Sequence, residues 1–237
     1  MGNGLRYEVV LARLSAWAVP ESLPGMARYG ILTDRALGVS MPKLRSLAKE
    51  CGKDHDLAAK LWASGIHEAR ILASLVEEPG EVNEEQAERW ARDFDSWDLT
   101  DQTCANLFRR LPWAWEKIGQ WGERPEEFVR RAGFALLAVL AVHDRSAPDE
   151  RFESYFPLVL EGAEDSRNYV KKGLAAAGCS VNWALRQVGK RNPNLCLKAI
   201  ACAEQMAQLP GKPARWIAAD ALRELKEKAA RSKGDRF

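Results

Sequence analysis

No stretch of this chain alternates apolar and polar residues as a half-buried strand would. Nearly every stretch between its glycine and proline positions instead repeats apolar residues at the three-to-four spacing of a helix. Residues 5–18 carry Val9, Val10, Leu14 and Trp17 in that register, and Pro20 and Pro24 end the run. Pro42 suits the first turn of a helix over 43–51, which Gly52 stops. Segments 56–63 and 66–78 form the next pair, parted by Ser64-Gly65 and closed by Pro79-Gly80. The same reading predicts helices over 84–94, 95–111, 112–122, 126–143, 149–162, 166–177, 180–190, 194–208 and 213–231, with 232–237 a frayed tail. The segment 126–143 is the most apolar and is expected at the centre of the core.

Short helices on short Gly/Pro connections imply stacked helical pairs, here at roughly 30–45 residues per repeat. The predicted fold class is therefore all-α: an α-α superhelix, or solenoid, of degenerate HEAT-like repeats, forming one domain over 1–237. The concave face of such a stack is a natural binding surface.

With 237 residues, 46% hydrophobic and 29% charged, the chain has enough material for a sizeable core. No apolar run reaches the roughly 18 residues of a membrane span. The first residues lack an apolar signal core, which predicts a cytoplasmic protein, in the bacterial cytosol or nucleoid. The five cysteines are irregularly spaced and form no CxxC, so reduced, buried thiols are expected. Three histidines and no cysteine cluster argue against a metal site. There is no P-loop and no nucleophile elbow, and Met1-Gly2-Asn3-Gly4 follows no strand. His67-Glu68 lacks the second histidine of a zinc-protease helix and reads as a helix-surface pair. Chemistry on this chain would rest on carboxylate, arginine and aromatic groups, without a cofactor. Trp113, Trp115 and Trp121 read as packing between repeats.

The net charge of +2 hides an asymmetry. Residues 1–100 hold 12 Lys/Arg against 16 Asp/Glu, and residues 101–237 hold 23 against 17. The excess gathers at Arg167, Lys171, Lys172, Arg186, Lys190, Arg191 and Lys198. A basic stripe would suit a phosphate backbone; a solvated helix surface would carry the same charges.

One short stretch stands out, Phe94-Asp95-Ser96-Trp97-Asp98-Leu99-Thr100-Asp101. Asp95 or Ser96 can cap a helix with a side-chain oxygen. Trp97 and Asp101 then share a face, and Asp98 points about 100° away. An indole beside a carboxylate near a positive helix end can stabilise a cation. A core tryptophan and a surface aspartate would give the same letters.

Several stretches together resemble the AlkD family of bacterial alkylpurine DNA glycosylases. They are Met26-Ala27-Arg28-Tyr29, the Gly38-Val39-Ser40-Met41-Pro42-Lys43-Leu44-Arg45 turn into a helix, Trp97-x-x-x-Asp101, Phe128-Val129-Arg130-Arg131-Ala132, and Trp183-Ala184-Leu185-Arg186 running to Gly189-Lys190-Arg191-Asn192-Pro193. The resemblance implies a DNA repair enzyme, monomeric and free of cofactor and metal. It would bind duplex DNA and hydrolyse the N-glycosidic bond of cationic purines such as N3-methyladenine and N7-methylguanine. The family's catalytic carboxylate falls on Asp101, and its flanking tryptophans fall on Trp97 and Trp183. Its backbone-binding arginine falls on Arg131, with Arg130 adjacent. Tyr29 and Tyr169 match aromatic positions near the lesion. The basic groups Lys171, Lys172, Arg186, Lys190 and Arg191 would line the DNA.

The chain departs from the family by about seven extra residues between Lys171-Lys172 and Trp183. An unbroken helix would move the ring some 10 Å along the axis, at about 1.5 Å per residue. A helix ending at Gly178 and a new one capped by Ser180 would loop the insert out and keep the site. Two other functions fit the same architecture: a non-catalytic protein that recognises an unusual DNA structure, and a protein-binding helical-repeat scaffold.

Overall fold

A computed structural model describes residues 5–165 and 180–234 of the chain, with side chains through 231. Every regular element among these residues is a helix, and no strand occurs among them. The chain divides into two compact units, Met1–Pro112 and Trp113–Phe237.

The first unit contains α1 (Tyr7–Ala16), α2 (Leu23–Arg28), α3 (Met41–Cys51), α4 (His55–Ala63), α5 (His67–Val76), α6 (Glu84–Arg92) and α7 (Trp97–Asn106), with 3-10 turns at Pro20–Ser22, Pro79–Glu81 and Phe108–Arg110. The predicted punctuation acts locally. Asp54 caps α4 by accepting the Leu57 N–H at 2.8 Å, and Asn83 caps α6 by accepting that of Gln86 at 2.8 Å. Gly52 closes α3 with φ +72°, a conformation open to glycine. In α6 the buried face is Gln86, Ala87, Trp90 and Ala91. Trp90 stacks on Trp62 of α4 with ring centroids 4.0 Å apart, joining two helices through large apolar surfaces.

The second unit contains α8 (Ala114–Gly122), α9 (Glu127–His143), α10 (Asp149–Glu153), α11 (Phe156–Gly162), α12 (Ser180–Lys190), α13 (Pro193–Ala207) and α14 (Lys212–Gly234). As its composition predicts, α9 is buried along nearly its whole length, from Val129 to Ala141. It packs against α8 and α12. A Cβ on Gly133 would come within 2.5 Å of the Gly122 nitrogen and 2.8 Å of the Ile118 carbonyl, so glycine here lets two helix backbones meet. Trp115 and Trp121 are buried, as expected of packing residues.

Three expectations need correction. The single helix over 95–111 ends at Asn106 and passes through Leu107 into a 3-10 turn. Pro112 favours an extended residue before it, and Leu111 has φ −78° and ψ 141°. The single helix over 149–162 is two, interrupted at Ser154 and Tyr155. Pro157 has no N–H for the Glu153 carbonyl, and the Tyr155 hydroxyl leaves the helix line to donate to the Trp115 carbonyl at 2.7 Å. His67 and Glu68 are not a surface pair: both are buried. The predicted helix 166–177, Cys179, and most of the insert before Ser180 lie outside the described residues. The other four cysteines are buried and form no disulfide among the described residues. Burial pushes the Cys202 thiol up to about 12 and the Cys51 thiol up to about 11, the latter with help from Glu50.

Candidate functional site

The stretch around Trp97 forms the first turn of α7. Ser96 sits at the N-cap, but its hydroxyl makes no capping bond, and Asp95 turns its carboxylate to Arg70 at 3.4 Å. Neither side chain therefore acts as the predicted cap. Trp97 and Asp101 lie one turn apart, and both are half-buried.

The Trp97 ring is held from outside its own helix. At the end of α2, the Gly30 N–H donates to the Ala27 carbonyl at 2.9 Å and the Ile31 N–H to the Met26 carbonyl at 3.1 Å. Gly30 supplies the φ of +76° that this Schellman turn requires. The Tyr29 carbonyl is left at the edge of the turn, where the Trp97 Nε1–H donates to it at 3.0 Å. Tyr29 itself is 44% exposed. Two of the predicted site residues thus meet, and Asp101 stands on the same helix as their anchor.

Asp98 points elsewhere, as the helical step requires. Its Oδ2 lies 2.9 Å from His67 Nε2 on α5. Burial alone would lift the Asp98 carboxyl, but the His67 bond and charge outweigh it, and the group titrates below its ordinary value. Burial alone would lower the His67 imidazole, but the bond and charge of Asp98 raise it above its usual 6.5. Both shifts favour the imidazolium–carboxylate form of the pair. It borders a cavity of about 300 Å³ whose walls include Met26, Ile31, Val39 and Met41. Glu68 closes the same region. One carboxylate oxygen accepts Gly38 N–H at 2.6 Å and Val39 N–H at 3.3 Å, and the other accepts Leu37 N–H at 2.8 Å.

In the second unit, Trp183 is half-buried on α12. Arg131 is 1% exposed. Arg130 pairs with Glu161 at 3.1 Å and Asp165 at 3.2 Å. Arg186 pairs with Glu224 at 2.7 Å, and Lys190 pairs with the same carboxylate. Arg191 donates to the carbonyls of Ala141 at 3.2 Å and Ala147 at 2.9 Å, with its guanidinium 4.5 Å from the Phe152 ring. Tyr169, Lys171 and Lys172 lie outside the described residues.

Compared with known families, the chain matches the one described as DNA alkylation repair enzyme, over residues 10–230. It belongs to that family. The fold of this DNA alkylation repair family member is similar to a solved structure from a new family of proteins related to the HEAT-like repeat DNA glycosylases with affinity for branched DNA structures. The TM-score is 0.73 at 19% identity, covering 95% of this chain and 96% of that one. That likeness shows the fold, HEAT-like helical repeats. A designed armadillo repeat protein is a weaker match, with a TM-score of 0.37 at 15% identity over 86% of this chain and 99% of that one. No curated protein matches.

Sequence reasoning about this family member missed the His67–Asp98 pair. A signal was present: Asp98 stands one helical step, about 100°, from Trp97 and so leaves the face that Trp97 shares with Asp101. What the letters could not supply was the packing of α7 against α5, which gives that carboxylate its partner.

Proposed function

We propose that this member of the DNA alkylation repair enzyme family hydrolyses the N-glycosidic bond of cationic alkylated purines, N3-methyladenine and N7-methylguanine, in duplex DNA. The observation that carries this reading is the first turn of α7. An indole and a carboxylate stand one turn apart, both reachable from solvent, with the indole anchored on the Tyr29 carbonyl.

The alkylated purine already bears positive charge, so it leaves with the bonding pair and becomes neutral without needing a strong general acid. Positive charge moves to the deoxyribose C1′ and ring oxygen. Ionised Asp101 stabilises that centre, and the π face of Trp97 favours it; the family resemblance gives Trp183 the same role. Water then adds at C1′ and its proton passes to Asp101 or to solvent, leaving a free base and an abasic sugar. In this scheme the exposed Tyr29 ring contacts the DNA beside Trp97. Arg131, at 1% exposure, supports α9 in this scheme, and phosphate contacts come from other cations.

The test is release of the two methylated bases from methylated duplex DNA by the wild type and by Asp101→Asn. Release that falls by about a hundredfold or more in the variant supports the reading. Release that the substitution leaves unchanged removes Asp101 from it. A second reading, a non-catalytic DNA-binding protein, is favoured by the structural likeness to proteins with affinity for branched DNA. Tight binding of a four-way junction without base release would select it.

A further inference from the structure

A cleft of about 450 Å³ in the second unit is lined by Ala141, Val142, Arg145, Gln187, Lys190, Arg191 and Asn192. Three of these are cations, two are amides and none is a carboxylate. The three cations differ in how their charge is met. Lys190 is neutralised by Glu224. Arg191 is fixed by two backbone carbonyls and the Phe152 ring, all uncharged, so its position is set but its charge is not cancelled by contact. Ala141 lies in the last turn of α9, where carbonyls lack helical partners, so this bond has a structural use as a helix-end clamp. It occupies only some of the five N–H donors of a guanidinium. Arg145 is exposed and makes no hydrogen bond or ion pair among the described residues. Two guanidiniums without a carboxylate partner among the described residues thus border one cleft, one held in place and one at the rim.

We infer that this cleft is a phosphate-binding site in which Arg191 is the fixed donor and Arg145 the closing one. Planar guanidinium forks match the paired oxygens of a phosphate. In the DNA-repair reading above, on which this choice of occupant rests, the ligand is a backbone phosphodiester of bound DNA. The site then supplies a positioning contact that carries no sequence information.

Arg145 is the residue to change, because its removal takes away no described contact. Binding of the intact protein to a fluorescent duplex is measured against salt concentration for wild type, Arg145→Ala, Arg145→Lys and Arg92→Ala. Arg92 is an exposed arginine on α6 whose removal takes the same unit of charge from elsewhere. Arg145→Ala is expected to bind about tenfold more weakly. Its slope of log affinity on log salt should be shallower by about one. Arg145→Lys should recover part of the loss, and Arg92→Ala should change little. In parallel, inorganic phosphate and the duplex are titrated separately while the arginine side-chain ¹H–¹⁵N resonances are followed, with those of Arg145 and Arg191 expected to move in both. If only inorganic phosphate moves them while the duplex binds, the site serves a free phosphorylated compound and the DNA occupant is wrong. If the wild type binds no DNA but phosphate still moves them, the DNA-repair reading fails and the anion site stands. Unmoved resonances, or equal weakening by Arg92→Ala, overturn the site.

Discussion

The imidazole of His67, 5% exposed, sits 2.9 Å from the carboxylate of Asp98, 18% exposed, and ties α5 to the first turn of α7. That turn also bears Trp97. Two charges removed from water in this way are held by each other, so deleting one strands its partner.

His67→Asn is therefore expected to destabilise the protein by about 3 kcal/mol, the low end for breaking a buried pair because Asp98 keeps some solvent contact. The measurement is urea unfolding, and a change below about 0.5 kcal/mol would show that the pair contributes nothing net.

The same pair sets a pH dependence. His67 titrates above 6.5 in the fold, so its contribution is complete below 6.5 and is lost as pH rises through the raised value. Asp98 titrates below 3.8 in the fold, so its contribution is present above 3.8 and is lost as pH falls through the lowered value. His55 adds to the first effect, since its hydrogen bond to Glu77 raises it as well. Melting temperature should fall between pH 6 and pH 9, and the fall should be smaller in His67→Asn. An identical fall in the variant would assign it to His55 or to other groups.

Trp97→Phe keeps an aromatic ring and loses the N–H that donates to the Tyr29 carbonyl. If the ring must be held to act, base release should drop about tenfold with little change in stability. Trp97→Ala should drop further. Equal activity in wild type and Trp97→Phe would mean that the anchor has no part in catalysis.

Gly133→Ala places a methyl against the backbone of Gly122 and the carbonyl of Ile118. Backbone cannot move aside as a side chain can, so α8 and α9 must separate, at about 1–3 kcal/mol. A shift in the urea midpoint of that size is expected. Gly119→Ala, where no atom lies within 4 Å of the added carbon, is the control.

The thiols give a separate readout. With Cys51 pushed up to about 11 and Cys202 up to about 12, neither carries appreciable thiolate at pH 8. A disulfide reagent should modify them only on unfolding. Rapid modification of the native protein would show that these sites open locally.

Helical spacing and Gly/Pro punctuation placed most of the helices, because those signals act within one or two turns. The helix 180–190 and the buried run of α9 are read correctly for that reason. The shared face of Trp97 and Asp101 was equally legible, being a matter of one helical turn. The misreadings have longer range. Pro157 splits a run that apolar spacing alone would continue, and the Tyr155 hydroxyl reaches a carbonyl 40 residues earlier in the chain. His67 looked like a surface residue because its partner lies 31 residues away. The charges of Arg186, Lys190 and Lys198 looked like a stripe because their carboxylate partners come from other helices.

Glu68 has a consequence for where an anion can be held. Three successive amides, those of Leu37, Gly38 and Val39, converge on its carboxylate. Convergent backbone amides of this kind form a nest, a cradle that in other proteins receives a phosphate. Here the chain fills the cradle with its own anion. An incoming anion finds those three donors already spent, so this turn offers it no backbone cradle.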